Sequence, residues 1–133
     1  MTTIASKCII KQPIETVYNF LSDCNNHEQL MPENVYNWSS TTDEASFTVQ
    51  NMTKLSLKIG QRIENKEILF VPVGEAPFDL SLTWKLNMID ATATEAVFTI
   101  IADLNMMMKM IASGPLKKLV DFETSKLKNT LET

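Results

Sequence analysis

Histidine, cysteine and concentrated positive charge are all scarce in this chain, and each shortage removes a class of function. One histidine and two cysteines are spread over 133 residues. Cys8 and Cys24 share no C-x-x-C spacing and have no ligand-type neighbours, so no metal site is expected. Two isolated thiols suit a reducing compartment better than a disulfide framework. The 12 Lys and Arg residues are outnumbered by 16 Asp and Glu, for a net charge of -4. Apart from the adjacent Lys117 and Lys118 the basic residues are scattered, which leaves no patch to neutralise phosphates and makes nucleic acid an unexpected partner. No apolar run approaches the roughly 18 residues that a transmembrane segment needs. The opening MTTIASKCII lacks the basic start and long apolar stretch of an export signal, so the expected location is cytoplasmic.

What remains is an ordinary globular balance, 44% hydrophobic and 21% charged, on a length that suits a single domain over residues 1–133. Such a chain buries roughly two-thirds of its unfolded surface and needs no staple. Residues 3–11 alternate, with Ile4, Ser6, Cys8 and Ile10 on one face, which predicts a half-buried strand. Pro13 then opens a helix carrying Ile14, Val17, Phe20 and Leu21 at helical spacing, with Glu15 where the helix dipole favours an acid. Asn25 and Glu28 are spaced as a capping box, predicting a short second helix that ends before Pro32.

From Val35 the period becomes two and stays so. Strands are expected near 35–40, 45–51, 54–64, 67–73, 78–88 and 95–104, joined by turns short enough to force antiparallel pairing. The clearest runs from Phe78 to Met88, with Trp84 among the alternating apolar residues and Lys85 on the opposite face; such a sheet has one dry face and one wet face. The tail returns to helix. Asn105 can cap a turn over 106–111, Ser113-Gly114-Pro115 is expected to interrupt it, and Leu116, Leu119, Val120, Leu127 and Leu131 form a stripe along a helix over 116–131.

The order strand, two short helices, six strands and long helix, with Pro13-Ile14-Glu15-Thr16-Val17-Tyr18 opening the first helix, Leu21-Ser22-Asp23 closing it and Leu30-Met31-Pro32 beyond, resembles the SRPBCC superfamily of START-like carriers and polyketide cyclase-like proteins. The tail from Ala102 through Pro115-Leu116 is similar to bacterial members of unassigned activity. The resemblance implies an α+β helix-grip fold: a seven-stranded curved antiparallel sheet around a long C-terminal helix, enclosing an apolar cavity. It also implies binding in that cavity. Three connections, 50–54, 71–77 and 102–108, are expected at one end of the sheet, with the Pro-flanked 71–77 as the gate.

Strand parity nominates the cavity's lining. Inward positions include Tyr36 and Trp38, Phe47, the series Leu57, Ile59 and Gln61, then Phe70, Leu82 and Trp84, and finally Phe98 and Ile100. Met107, Met108 and Ile111, in the helical turn before the long helix, are expected at the mouth, because clustered methionines suit adaptable apolar surfaces. No Asp, Glu, Lys, Arg or His falls on the inward strand positions, and general acid–base chemistry needs a titratable group within reach. His27 is expected to be a polar residue on a helix surface, Cys8 an inert core thiol without a neighbouring base, and Lys117-Lys118 the wet face of the helix.

The expected function is therefore non-catalytic binding or carriage of a small hydrophobic molecule such as a lipid, quinone or aromatic metabolite. Trp38, Trp84 and Gln61 would orient a polar group on it. No cofactor is expected, and the oligomeric state is left open. The alternatives are a cyclase- or dehydratase-like enzyme using Tyr18, Tyr36 or His27, and a cochaperone-like interaction module whose groove holds a partner's apolar segment.

Overall fold

A computed structural model describes residues 1–50, 54–74 and 79–132. The opening strand β1 (Thr2–Ile10) leads into α1 (Ile14–Leu21) and two single 3-10 turns, Cys24–Asn26 and Glu28–Leu30. Six strands follow: β2 (Val35–Ser40), β3 (Glu44–Val49), β4 (Lys54–Ile63), β5 (Glu67–Pro72), β6 (Leu80–Asp90) and β7 (Ala93–Ala102). The chain then enters the 26-residue helix α2 (Met106–Leu131). Among the described residues the seven strands form one sheet in the order β1-β7-β6-β5-β4-β3-β2, every pair antiparallel. This is the helix-grip architecture, α+β, with the sheet curled as a half-barrel around α2.

Six strands in sequence make a meander because their turns are too short for a crossover. The sixth pairing, β1 with β7, joins residues about ninety apart in sequence, from Thr2 opposite Ala102 to Ile10 opposite Thr94. The free edge of β1 is blunted by α2: Lys117 Nζ donates to the Ala5 carbonyl at 2.9 Å and Lys128 Nζ to the Ile9 carbonyl at 2.6 Å. Capping unpaired edge carbonyls with lysines discourages a second chain from adding a strand there. Lys117 thus has a structural task beyond the solvated role expected of it. At the helix's end Gln12 Nε2 reaches the Leu131 carbonyl at 2.7 Å.

The core lies between the concave sheet face and α2. Trp84, fully buried, and Phe98 are cross-strand partners whose rings stack 4.5 Å apart, and Lys85 faces outward as its parity predicts. Alternate residues of β7 from Thr94 to Ala102 are buried, and α2 lays Leu116, Val120 and Leu127 against them.

Four local expectations are corrected. The segment 106–131 is one continuous helix with Pro115 inside it; losing the single hydrogen bond to the Ile111 carbonyl is outweighed by the packing of the stripe on either side. The short second helix is two 3-10 turns, and the cap belongs to Asp23, whose Oδ1 accepts from Asn25 N at 2.9 Å. Gln61 is exposed, because the β4–β5 register slips between Ile59 and Gln61. The extra residue there is Gly60, where an added Cβ would come within 3.2 Å of a Val71 methyl, and one inserted residue turns every later side chain to the other face. Tyr36 is likewise exposed: β2 bulges between Tyr36 and Ser39, with Asn37 in the left-handed region at φ 58°. Of the expected gate, residues 75–77 lie outside the described residues, as do 51–53 of the 50–54 connection.

Candidate functional site

Beneath α2 the sheet and helix do not close completely. A cavity of about 50 Å³ is walled by Trp38, Phe47, Leu57, Phe70, Leu82, Trp84 and Phe98 from the sheet, with Val35, Ala45, Met31 and Cys24. Leu119 and Glu123 close it from α2, and His27 from the 3-10 segment. A second cavity, also about 50 Å³, shares Val35, Phe47, Leu57, Leu82 and Leu119 with the first and extends past Val49, Leu55, Leu80 and Ile100. On the outside, a groove of about 390 Å³ runs between Pro32 and Asn34 on one bank and Pro115, Lys118, Leu119 and Phe122 on the other. Leu119 borders all three spaces. Asn34 and Pro115 also border both the second cavity and the groove, so these side chains stand together between interior and groove, and a movement of Leu119 would join the two. In this closed form the interior is smaller than the engineered cavity of about 150 Å³ that takes up benzene, so anything larger than water requires such a movement.

Three titratable side chains, Glu123, His27 and Cys24, line this apolar space, and none is among the expected inward residues. Glu123 is 2% exposed, and among the described residues its carboxyl has no hydrogen-bond or ion-pair partner. Burial pushes its pKa well above the usual glutamate value, since removing water penalises the charged form. Parity orders the faces of strands only, whereas Glu123 is on the helix. The stripe Leu116, Val120, Leu127 has a gap of seven, and 123 and 124, both buried, are the positions that complete the three- and four-residue spacing. That spacing was the available signal.

His27 is 5% exposed, contrary to the surface position expected of it. A 3-10 segment has three residues per turn, so Cys24, His27 and Leu30 share one face, and all three are buried. Its Nε2 lies 2.8 Å from the Leu21 carbonyl. Together with Asn26 Nδ2 on the Phe20 carbonyl at 3.0 Å and Arg62 Nη2 on the Ser22 carbonyl at 2.7 Å, it caps the end of α1. A carbonyl only accepts, so Nε2 carries the hydrogen. Burial lowers the pKa of the ring, leaving it neutral with Nδ1 as an acceptor. The ring also stands edge-on to Phe70, centroids 5.2 Å apart. Cys24 on the same wall is held as a thiol, its pKa raised to about 11 chiefly by burial. Cys8 is raised to about 11 for the same main reason. Burial thus disfavours the charged form of every titratable group on the cavity wall.

Trp38 stacks on Phe47 with centroids 5.2 Å apart, and its Nε1 is buried without a hydrogen-bond partner. Of the other expected lining residues, Ile59 is half-buried and packs on the core outside these walls, and Gln61 faces away. Met108 packs on the core, and Met107 and Ile111 are 71% and 67% exposed and form, with Met106 and Met110, an outward apolar face that borders none of these three spaces. The reason is the continuous helix: its buried stripe passes through Ala112 and Leu116, which turns 107 and 111 outward. The outer groove borders α2 a turn or two further along, at Pro115, Lys118, Leu119 and Phe122. Among the described residues no three His, Cys, Asp or Glu side chains cluster as metal ligands, and no helix is long and apolar enough to cross a membrane.

Comparison with solved structures places the chain among helix-grip proteins. It superposes on the KanY protein with a TM-score of 0.80 at 11% identity, covering 99% of this chain and 98% of that one. It is similar to one unit of the Aha1 dimer of Colwellia psychrerythraea (TM-score 0.69, 19% identity, 99% and 97% covered). It also matches BexL, a di-domain ARO/CYC of the BE-7585A biosynthetic pathway (TM-score 0.68, 10% identity), over 96% of this chain and 46% of that one. These likenesses concern the fold. No family model and no curated sequence matches the chain.

Proposed function

We propose that this chain is an SRPBCC-like binding protein that takes up a small, largely apolar molecule between the sheet and α2, entering past Leu119. One observation carries the reading: an apolar cavity whose wall holds a buried carboxyl without a partner. Unpartnered buried polar groups cost stability and are rare in native folds unless something else satisfies them. Apolar walls with a few placed polar groups are the usual composition of a small-molecule site. Binding energy comes from the walls, and orientation from the polar groups.

A second reading is favoured by the meeting of His27 and Glu123 on one cavity wall. A neutral imidazole acceptor and a neutral carboxylic acid are the two halves of general acid–base catalysis, as a cyclase-type enzyme would use. Carriage ranks first because His27 Nε2 is committed to holding α1. The test is a titration of detergent-free protein with 1-aminoanthracene, with native mass spectrometry of the same sample. Saturable one-to-one uptake is expected, and a ligand at about a hundred times its Kd should add roughly 2.7 kcal/mol of stability. Absence of saturable uptake by either method refutes the binding reading. Turnover of a bound molecule that His27→Phe abolishes would put the enzyme first.

A further inference from the structure

Two side chains that line the cavity carry a polar group without a hydrogen-bond partner among the described residues. The Glu123 carboxyl has no partner among the described residues, and the buried Trp38 Nε1–H has no acceptor. His27, by contrast, is occupied at Nε2 by the Leu21 carbonyl. Glu123 and Trp38 border the same small space, one from α2 and the other from β2.

We propose that the molecule held in this cavity presents a carbonyl oxygen, which accepts one hydrogen bond from the Glu123 carboxyl O–H and one from Trp38 Nε1–H. This rests on the small-molecule reading above. An indole nitrogen donates only, and a carboxylic acid in an apolar site is a donor as well. A ketone, aldehyde or quinone oxygen has two lone pairs and no hydrogen, so it can accept from both donors at once. An amine cation would gain the Glu123 carboxylate but would meet a second donor at Trp38, within walls that cannot solvate a charge. An alcohol that donates its O–H to the Glu123 carbonyl oxygen would leave the acid O–H without an acceptor, and one that accepts both bonds would leave its own O–H without one. The other titratable groups facing the cavity, His27 and Cys24, are neutral and provide no countercharge.

Four molecules of one skeleton separate these cases: acetophenone, 1-phenylethanol, 1-phenylethylamine and ethylbenzene. Their affinities for the full chain are measured by calorimetry, and the acetophenone carbonyl stretch by infrared difference spectroscopy. Acetophenone should bind at least about tenfold tighter than ethylbenzene, with its carbonyl stretch lowered on binding. Glu123→Gln, whose amide still donates, should keep most of that preference and most of the shift. Glu123→Leu should bring acetophenone down to the ethylbenzene level and return the stretch toward its free value, while ethylbenzene still binds. Trp38→Phe should remove part of both effects. Tighter binding of the alcohol or the amine, or equal binding of ketone and hydrocarbon, overturns the carbonyl assignment and leaves the cavity reading standing. So does a Glu123→Leu variant that loses ethylbenzene as readily as acetophenone, since that marks a merely structural role. Failure of all four molecules to bind overturns both.

Discussion

Replacing Glu123 by Leu should stabilise the protein, and increasingly so as pH rises. The carboxyl is buried without a partner. Even in its neutral form an unsatisfied buried group costs about 1–3 kcal/mol, and a leucine at 123 would extend the stripe of Leu116, Val120 and Leu127. A gain of about 1–3 kcal/mol is therefore expected near pH 5. The pH dependence has a definite sign. Glu123 has a pKa raised above 4.5 in the folded chain, so between 4.5 and that higher value the folded state holds a proton that the unfolded state has lost. Stability then falls as pH rises through this window, by at most about 1.4 kcal/mol per unit for one group. The variant lacks this loss, so its advantage should widen from pH 5 to pH 8. Urea unfolding followed by tryptophan fluorescence at each pH measures the gap, with the urea slope unchanged if the surface exposed is the same. His27 is present in both proteins, so its titration cancels in the difference. A gap that stays constant with pH would refute the protonated, desolvated carboxyl. A less stable variant at every pH would show that Glu123 has a partner in the native state.

The opposite sign is expected at His27, whose folded pKa lies below 6.5. The stability it protects is present above 6.5 and is lost as pH falls, and His27→Phe should remove that acid-side loss. The same variant should cost about 1–3 kcal/mol near pH 7, because the Leu21 carbonyl loses its donor; unchanged stability by urea titration would contradict the capping role. Trp84→Ala should cost about 3–5 kcal/mol, since the ring is fully buried against Phe98. A loss under about 1 kcal/mol would mean that the walls collapse into the space vacated.

Most of the fold was legible because its signals are local. Alternation over β6 and β7 orients Trp84 and Phe98 correctly, and the Leu-spaced stripe places one face of α2 on the sheet. Errors occurred where one residue broke the local rule. Gly60 and Asn37 each sit in a bulge that reverses parity, which sent Gln61 and Tyr36 to the solvent side. Pro115 marked a break in sequence that tertiary packing overrides. The site itself was half legible: its aromatic walls followed from strand parity, whereas Glu123 and His27 come from a helix and a 3-10 segment where the strand rule does not apply.

The sequence by itself determined the element order, the antiparallel meander and the faces of its regular strands, because side-chain periodicity and short turns act over a few residues. Only the tertiary structure decided that β1 closes on β7 and that α2 runs unbroken past Pro115. It also decided that a glutamate and a histidine, nearly one hundred residues apart, border the same apolar space. That outcome depends on how far the sheet curls around the helix, and curling is set by where the ladder slips and how α2 seats on β1. These are balances among many distant contacts, and no single stretch of chain encodes them.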